Sequence, residues 1–498
     1  MNKITTNLSI LLADFFSVSQ ECDCTITGLA LDSRLVRPGN LFFAYQGHEE
    51  DGRKYIEAAI ANGAVAIVCE GEKANISILN NGGVVMIVMP QVAQLIGLIA
   101  AKFYDYPARK LTVIGVTGTN GKTSITQFIA RIFTDLGRKC GIVGTLGVGF
   151  PHQIKMTGLT TPDAITIQSA LAEFVKEGAK VVAIEVSSQG IVQNRLQGID
   201  FKIAVFTNLT RDHLDYHKDM QDYAAAKRRL FFTPGLEYAV INVDDEYGLE
   251  LLRSLPATVK TFAYTTSDVE VNVPITCAQN IKILSNGFSA KVVTPWGEGV
   301  LHSSLLGRFN VSNLMAVLTV LCVNNIELSV VLQHIAQLKN VSGRMQTLGG
   351  GKLPLVVVDF AHTPDALEKS LLALREHCRG KLWCVFGCGG NKDRGKRPIM
   401  GQIAERYSDQ VIITSDNPRS EDPQQISEDI VKGLLCPWAA EVEHDRGVAI
   451  FHAIDCAVQG DVVLLAGKGH ENYQIVGENK IPFNDVDKAL EALKRKKF

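Results

Sequence analysis

The sequence lacks an excess of charge of either sign, a paired set of cysteines, a long unbroken apolar run, and any internal repeat or low-complexity tract. Each absence removes a class of function. The 50 lysines and arginines face 52 acids in 498 residues, so no bulk charge draws the chain to nucleic acid or to a membrane. Attraction for anions must be local, and the tail Lys494-Arg495-Lys496-Lys497 reads as a solvated helix end. The 11 cysteines are an odd number and are scattered, several inside apolar runs (Cys69, Cys384, Cys456). That pattern suits reduced core thiols rather than a disulfide framework. Cys384 and Cys388 have no second pair, so zinc is not expected there. Met1 to Ser9 show no charged region followed by an apolar one, as a secretory leader would. Val84 to Ala101, the most apolar long window, is interrupted by Pro90, Gln91 and Gln94 and reads as strand, turn and buried helix, not as a membrane span. The expectation is a cytoplasmic, monomeric enzyme of small molecules, with no nucleic-acid or membrane partner.

What is present is a chain long enough for roughly three domains, at about 150 residues each. The most informative stretch is Gly115-Val116-Thr117-Gly118-Thr119-Asn120-Gly121-Lys122-Thr123-Ser124. It follows Leu111 to Ile114, a short apolar run suited to a buried strand, and precedes Ile125 to Leu136, whose apolar residues recur at helical spacing. Glycines there let the backbone turn sharply and bring its N–H groups to phosphate oxygens. The helix N-terminus adds positive potential, Lys122 a point charge and the Thr123 hydroxyl a ligand for magnesium. The stretch reads as a nucleoside triphosphate site. Its spacing departs from the usual motif, because counting back from Gly121-Lys122 places Val116 where the first glycine should stand.

The expected fold class is α/β in three domains. Residues 1–105 carry short strands and polar glycine loops, at Asp32-Ser33-Arg34 and Gly47-His48-Glu49-Glu50-Asp51-Gly52, with a helix from about Arg53 to Asn62. Ser33, Arg34 and His48 could hydrogen-bond a ligand, although Asp-Ser-Arg is also ordinary turn chemistry. Tyr104-Asp105-Tyr106-Pro107 looks like a linker. Residues 106–345 form a central P-loop domain, with apolar runs at 181–186, 203–206 and 238–243 that fit a parallel sheet covered on both faces. In such sheets ligands lie beyond the carboxyl ends of the strands. There Glu185 precedes Ser187-Ser188-Gln189-Gly190, and Thr207-Asn208 leads to Arg211-Asp212-His213-Leu214-Asp215. One carboxylate plus phosphates makes a reasonable magnesium site, whereas histidine is an unusual magnesium ligand. The helix Tyr223 to Phe232 has a basic face expected to be solvated. Residues 260 to 305, with turns at Ser285-Asn286-Gly287 and Pro295-Trp296-Gly297, suggest an antiparallel excursion, and Asn310 and Asn313 could read a base edge or cap a helix.

Residues 346–498 form a Rossmann-like C-terminal domain in which four apolar runs each end in a polar or glycine-rich turn. These turns carry Lys392, Arg394, Lys396 and Arg397, then Asp416-Asn417-Pro418-Arg419, then Gly467-Lys468-Gly469-His470-Glu471. A parallel sheet gathers such turns at one edge, which predicts a focused cationic crevice fitted to an anionic substrate.

Together these stretches resemble the Mur ligase family over essentially the whole chain. The residues that carry the resemblance are the loop Thr117 to Thr123, Glu185-Val186-Ser187-Ser188, Arg211 to Asp215, Asn310 with Asn313, Gly343-Arg344-Met345 and Ala361-His362-Thr363-Pro364-Asp365. The likeness is greatest to the branch that adds the third amino acid to UDP-N-acetylmuramoyl-L-alanyl-D-glutamate, in peptidoglycan precursor synthesis. It implies an ADP-forming amide ligase that uses ATP and Mg2+, and it accounts for the misfit at Val116 as the family's own loop.

The resemblance places ATP on Gly118, Thr119, Asn120, Gly121, Lys122, Thr123 and Ser124, with Asn310, Arg344 and Asp359 at adenine and ribose. It places metal on Thr123, Glu185, His213 and Lys227, the last carbamylated by carbon dioxide. The uridine-nucleotide peptide falls to Leu31, Ser33, His48, Thr160, Thr161, Ser187, Gln193 and Arg195. The incoming amino acid falls to Lys392, Asp416, Asn417, Pro418, Arg419, Gly467 and Glu471. Asp-Asn-Pro-Arg accompanies meso-diaminopimelate in this family, and Arg419 can grip its extra carboxylate with two parallel hydrogen bonds. Lys392 stands where the family usually has arginine, and Phe360 where it usually has tyrosine. ATP would activate the D-glutamate γ-carboxylate as an acyl phosphate, with closure of the third domain assembling the site. A lysine-adding ligase, a folylpolyglutamate synthase and an NTP-driven switch are the competing readings.

Overall fold

A computed structural model of the chain describes residues 4–48, 50–79, 83–214, 216–284 and 287–496. Glu49, Asp215, the turn expected at Ser285-Asn286 and Lys497 of the basic tail lie outside the described residues. Three sheets, each with its own apolar core, follow one another along the chain.

The first sheet contains β1 (Gly28–Ala30), β2 (Asn40–Ala44), β3 (Ala64–Glu70), β4 (Asn75–Leu79) and β5 (Val84–Met89), in spatial order β1-β2-β3-β5-β4. All five residues of β2 are buried: Leu41 to Ala44 are apolar, and Asn40 accepts through Oδ1 from the Arg37 N–H at 2.9 Å. The window read as strand, turn and helix is β5 followed by α1 (Val92–Phe103). The helix expected at Arg53 to Asn62 is a 3-10 turn, Gly52–Tyr55, leading into a short α-helix, Ile56–Ala61.

The central sheet begins with β6 (Thr112–Thr117), which enters the glycine-rich loop and then α2 (Lys122–Asp135). Next come β7 (Cys140–Gly144), β8 (Gly147–Phe150), β9 (Gln153–Lys155), α3 (Ala164–Lys176), β10 (Val181–Glu185), β11 (Ile203–Phe206), α4 (Met220–Arg228) and β12 (Tyr238–Asn242). Then follow β13 (Lys260–Thr265), β14 (Ile275–Leu284), β15 (Gly287–Thr294), β16 (Gly297–Ser303) and α5 (Arg308–Val323). The sheet has 11 strands in the order β9-β8-β7-β10-β6-β11-β12-β13-β14-β15-β16. Residues 260 to 305 are therefore not an excursion from the sheet. β13 pairs parallel with β12 and β14 starts parallel to β13, while β15 pairs antiparallel with both β14 and β16. Ala263 and Tyr264 are buried, so this edge continues the same core. α5 is apolar on nearly every side because it lies between α2 and the sheet. α1 packs on α3 and so seats the first sheet on the second.

The third sheet is built from β17 (Gln346–Gly349), β18 (Leu355–Asp359), α6 (Pro364–Arg375), β19 (Leu382–Phe386), α7 (Lys396–Tyr407) and β20 (Gln410–Ile413). It is completed by β21 (Ala440–Val442), α8 (Arg446–Cys456), β22 (Val462–Ala466) and α9 (Asp485–Arg495). Its order is β17-β18-β22-β19-β20-β21, parallel except at β17. Thr363 caps α6 by accepting from the Ala366 N–H, and Pro364 occupies the first turn, where no N–H is needed. The 11 cysteines are all free thiols. No helix among the described residues is long and apolar enough to cross a membrane.

One buried ion pair supports the turn after β22. Arg446 Nε and Nη2 each donate to Asp485 at 2.7 Å, and Nη2 also donates to the Ala466 carbonyl at 3.0 Å. Both side chains are fully buried. Loss of one partner strands a buried charge, at a cost of about 3–5 kcal/mol. Asp485→Ala is expected to destabilise the third sheet by that amount, measured by urea unfolding; a change below 1 kcal/mol would contradict the assignment.

Candidate active site

The carboxyl ends of β6, β10, β11 and β12 lie side by side and lace the glycine-rich loop into place. Thr117 Oγ1 donates to the Val186 carbonyl at 2.8 Å, Thr207 Oγ1 to the Asn120 carbonyl at 2.6 Å, and the Asn120 N–H to Asn208 Oδ1 at 2.9 Å. Gly118 and Gly121 have φ values of 144° and 90°. A Cβ on Gly121 would stand 2.6 Å from Asn313 Oδ1, so position 121 demands glycine both conformationally and sterically. The helix start of α2 is left open toward this loop, which is the geometry of an anion cradle.

Two lysines converge behind the loop. Lys122 Nζ donates to the carbonyls of Gly118 at 2.9 Å and Thr119 at 2.8 Å. Lys227 Nζ donates to the same Gly118 carbonyl at 2.8 Å and lies 4.3 Å above the Tyr223 ring. Burial lowers the pKa of both amines; for Lys227 the fall is large and is deepened by repulsion from Lys122. The basic face of α4 is thus solvated only in part: Arg228 and Arg229 are exposed, but Lys227 is buried because it faces the loop.

Glu185, fully buried at the end of β10, accepts from Thr123 Oγ1 and from the Thr145 N–H, each at 2.9 Å. Thr145 Oγ1 lies 2.9 Å from Glu185 Oε2 and 3.0 Å from Thr160 Oγ1. His213 has a left-handed backbone, φ 54°, and its Nε2 is 3.4 Å from Asp212 Oδ2. Burial pushes the Asp212 carboxyl up, but His213, His362 and Lys122 outweigh it and hold the pKa below its usual value. No group of three or more His, Cys, Asp or Glu gathers as a metal cage among the described residues. The donors present, a threonine hydroxyl beside a carboxylate at an anion cradle, fit magnesium, which binds through few protein oxygens and completes its shell with phosphate and water.

Arg344 and Asp359 meet at the junction of the second and third sheets. Arg344 Nη2 donates to Thr123 Oγ1 at 3.2 Å, and its guanidinium carbon lies 4.5 Å from the Phe360 ring centroid. Its buried Nε has no partner among the described residues. Asp359 accepts from the Met345 N–H at 2.7 Å and from Ser370 Oγ at 3.2 Å, and burial raises its pKa against the pull of Arg344. Asn310 Nδ2 donates to the Leu306 carbonyl and Asn313 Nδ2 to Asn310 Oδ1, so neither residue caps α5, whose cap position is Gly307.

A cavity of about 660 Å³ is lined by Thr119, Asn120, Gly121, Lys122, Thr123, Ser124, Thr160, Glu185, His213, Asn310, Arg344 and Asp359. A second, of about 550 Å³, is lined by Lys392, Asp416, Asn417, Arg419, Gly467 and Glu471. They share Asp212, His213, Phe360, His362, Thr363 and Glu471 as walls. Gly118, Lys227 and Pro418 line neither cavity.

The cationic crevice expected at the third sheet is largely neutralised. Arg397 is fully buried and donates to Glu421 and Asp429, while Arg394 also pairs with Glu421. Lys468 is buried against Glu471 Oε2 at 2.9 Å, which also accepts from Asn417 Nδ2. The second cavity therefore mixes Lys392, Lys396 and Arg419 with Asp393, Asp416 and Glu471, a lining suited to a zwitterion rather than to an anion alone. Arg419 Nη1 donates to the Gly390 carbonyl at 2.9 Å, which ties the two charged turns together.

Thr161, Ser187, Gln193 and Arg195 form one linked group beside the first cavity. Arg195 Nη1 donates to the Thr161 carbonyl at 2.7 Å, Ser187 Oγ to Thr161 Oγ1 at 2.9 Å, and Gln193 Nε2 to Tyr216 Oη at 3.2 Å. The Tyr216 ring is 4.8 Å from His48, which brings the first sheet to this group. Leu31 and Ser33 line neither cavity. Sequence reasoning passed over Thr145, which sits between two strands with no motif around it. It also passed over Asp244 and Asp245, although they follow β12 and its strand-end position was signal enough.

The chain matches three profiles of the Mur ligase family in succession: the catalytic domain over residues 25–104, the middle domain over 116–321 and the glutamate ligase domain over 343–469. The chain belongs to the Mur ligase family. It is 47% identical over 483 residues to the UDP-N-acetylmuramoyl-L-alanyl-D-glutamate--2,6-diaminopimelate ligase of Coxiella burnetii, which covers 97% of this chain and 98% of the other. It is 48% identical over 473 residues to the protein of that name from Ectopseudomonas mendocina, covering 95% and 96%. A solved structure of a ligase with the same name superposes with a TM-score of 0.68 at 38% identity, over 95% of this chain and 96% of that one.

The buried state of Lys227 yields a pH prediction. A neutral amine in the fold takes up a proton on unfolding at any pH below about 10.4, so unfolding is favoured as pH falls from there toward the depressed native pKa. In carbon dioxide-free buffer Lys227→Met is expected to be more stable than the parent, by a margin that grows as pH falls below about 10.4 and fades as pH rises past it. Urea titrations at pH 7, 9 and 10.5 measure it, and a margin independent of pH would contradict the assignment.

Proposed function

We propose that this chain joins meso-diaminopimelate to the D-glutamate γ-carboxylate of UDP-N-acetylmuramoyl-L-alanyl-D-glutamate, with ATP cleaved to ADP and phosphate, as a cytoplasmic monomer in peptidoglycan precursor synthesis. The observation that carries this reading is the shared wall. A phosphate-binding loop opens into one cavity, a zwitterion-lined turn cluster into the other, and the two meet at Asp212, His213 and His362. A nucleotide switch has no need of the second cavity.

A carboxylate does not acylate an amine at neutral pH, because oxide is too poor a leaving group. In the proposed sequence a γ-carboxylate oxygen attacks the terminal phosphorus of ATP, the bond to ADP breaks, and the acyl phosphate forms. The amine then attacks the acyl carbon, and the C–O bond to phosphate breaks. Lys122, in the wall of the first cavity, would neutralise charge spreading over the transferred phosphoryl group. Magnesium, held by Thr123, Glu185 and His213 with the ATP phosphates, would supply further neutralisation. The neutral Lys227 amine is the form that adds carbon dioxide, and the carbamate so made would be an anionic ligand close to the loop. Arg195 and its partners would hold the nucleotide peptide with its γ-carboxylate toward Thr160. In the second cavity, Lys392 and Arg419 fit the carboxylates of the amino acid, and Asp416 and Glu471 its ammonium groups.

Phosphate release measured with diaminopimelate, lysine or glutamate at fixed nucleotide peptide is expected to favour diaminopimelate at least 100-fold. Equal turnover with lysine would overturn the substrate assignment, and release indifferent to both substrates would favour a nucleotide switch. Lys122→Ala is expected to abolish release under all these conditions. Lys392→Arg, which restores a planar fork, is expected to lower the KM for diaminopimelate with little effect on that for ATP.

A further inference from the structure

His362 stands in the wall between the two cavities, and the steps above assign it no chemistry. It follows β18 and lines both cavities. Its Nδ1 lies 2.8 Å from the Phe360 carbonyl oxygen. A carbonyl can only accept, so Nδ1 carries the hydrogen, and in the neutral ring Nε2 holds the lone pair. The ring packs 4.6 Å from Phe360, and the carbonyl of His362 accepts from Lys396 Nζ at 2.8 Å, so ring and main chain are both fixed. Among the described residues no hydrogen-bond partner engages Nε2.

The charged and titratable groups that face this ring come from four elements: Lys396 at the start of α7, Asp212 after β11, Arg344 before β17 and His470 after β22. Burial and the Lys396 ammonium keep His362 below its ordinary pKa, against the opposing pull of Asp212. At neutral pH the ring is therefore uncharged and its Nε2 can accept a proton.

We propose that His362 is a catalytic residue of the second half-reaction, passing a proton from the attacking nitrogen to the departing phosphate. This rests on the acyl-phosphate reading above. The amine enters as free base, having left one proton in solvent. As its lone pair forms the C–N bond the nitrogen becomes cationic and acidic, and Nε2 takes that proton. The carbonyl electron pair, displaced to oxygen, returns as the C–O bond to phosphate breaks. The imidazolium then gives its proton to the leaving phosphate oxygen, so the products are amide and hydrogen phosphate and the ring returns to its starting state. A group with this task must serve both the amine and the phosphate, and a residue that lines both cavities is placed between them. A weakly basic ring suits it, because the adduct nitrogen is far more acidic than a free ammonium and the proton must be handed on.

The test separates the half-reactions. Hydroxylamine reacts with acyl phosphates without assistance, so ATP-dependent hydroxamate formation reports the first step alone. For His362→Asn, ligation of diaminopimelate is expected to fall at least 100-fold, within the range of general acid–base catalysis, while hydroxamate formation stays within about threefold of the parent. Imidazole is expected to restore ligation by His362→Ala at least tenfold. A parallel fall in both reactions, or ligation left intact, would overturn the assignment. No hydroxamate from the unaltered protein would instead overturn the acyl-phosphate reading on which it rests.

Discussion

Two amines, those of the half-buried Lys122 and the buried Lys227, share the carbonyl oxygen of Gly118, and the rest of the site is arranged around that contact. Neither lysine has an acid within ion-pair distance among the described residues, and burial favours the uncharged amine in each. A loop that gathers amines without matching anions is a loop prepared for an anion from outside. The strand ends beneath it, with Thr117, Thr207 and Asn208, keep the backbone in that shape, so the positive potential is present before any ligand arrives.

From this loop the constraint passes to the third sheet through a few direct contacts. Asn120 Nδ2 donates to Asp365 Oδ2 at 2.8 Å, and Arg344 Nη2 to Thr123 Oγ1. Both engage residues of the phosphate loop itself. Asp365 stands in the first turn of α6 beside the wall that the two cavities share, so a shift of the third sheet would move that wall and the loop together. This is the physical basis for reading the two cavities as halves of one reaction site rather than as separate pockets.

Charge in the third sheet is used for construction as much as for recognition. Arg397, Arg446 and Lys468 are fully buried, each neutralised by a carboxylate, and they hold the turns that present Lys392, Arg419 and Glu471. A single buried charge left unpaired would be costly, which explains why these cations occur with Glu421, Asp485 and Glu471 around them.

The α/β class, the strand–loop–helix at Gly115 to Ser124 and the set of polar turns are legible from residue order alone, because apolar period and glycine placement are local properties. The family likeness was also legible there, in motifs spread along the whole chain. Which charged groups face a cavity depends on long-range packing and is visible in the folded chain alone. Lys227 reads as part of a solvated helix face and Arg397 as part of an open cationic crevice, and both are buried, because burial depends on what packs against a helix from elsewhere in the chain. The same holds for Thr145, brought to Glu185 by the pairing of β7 with β10, and for the edge strands β13 to β16, which join the central sheet rather than leaving it. The place of His362 between two cavities likewise follows from the packing of the third sheet on the second, a long-range fact that no local pattern encodes.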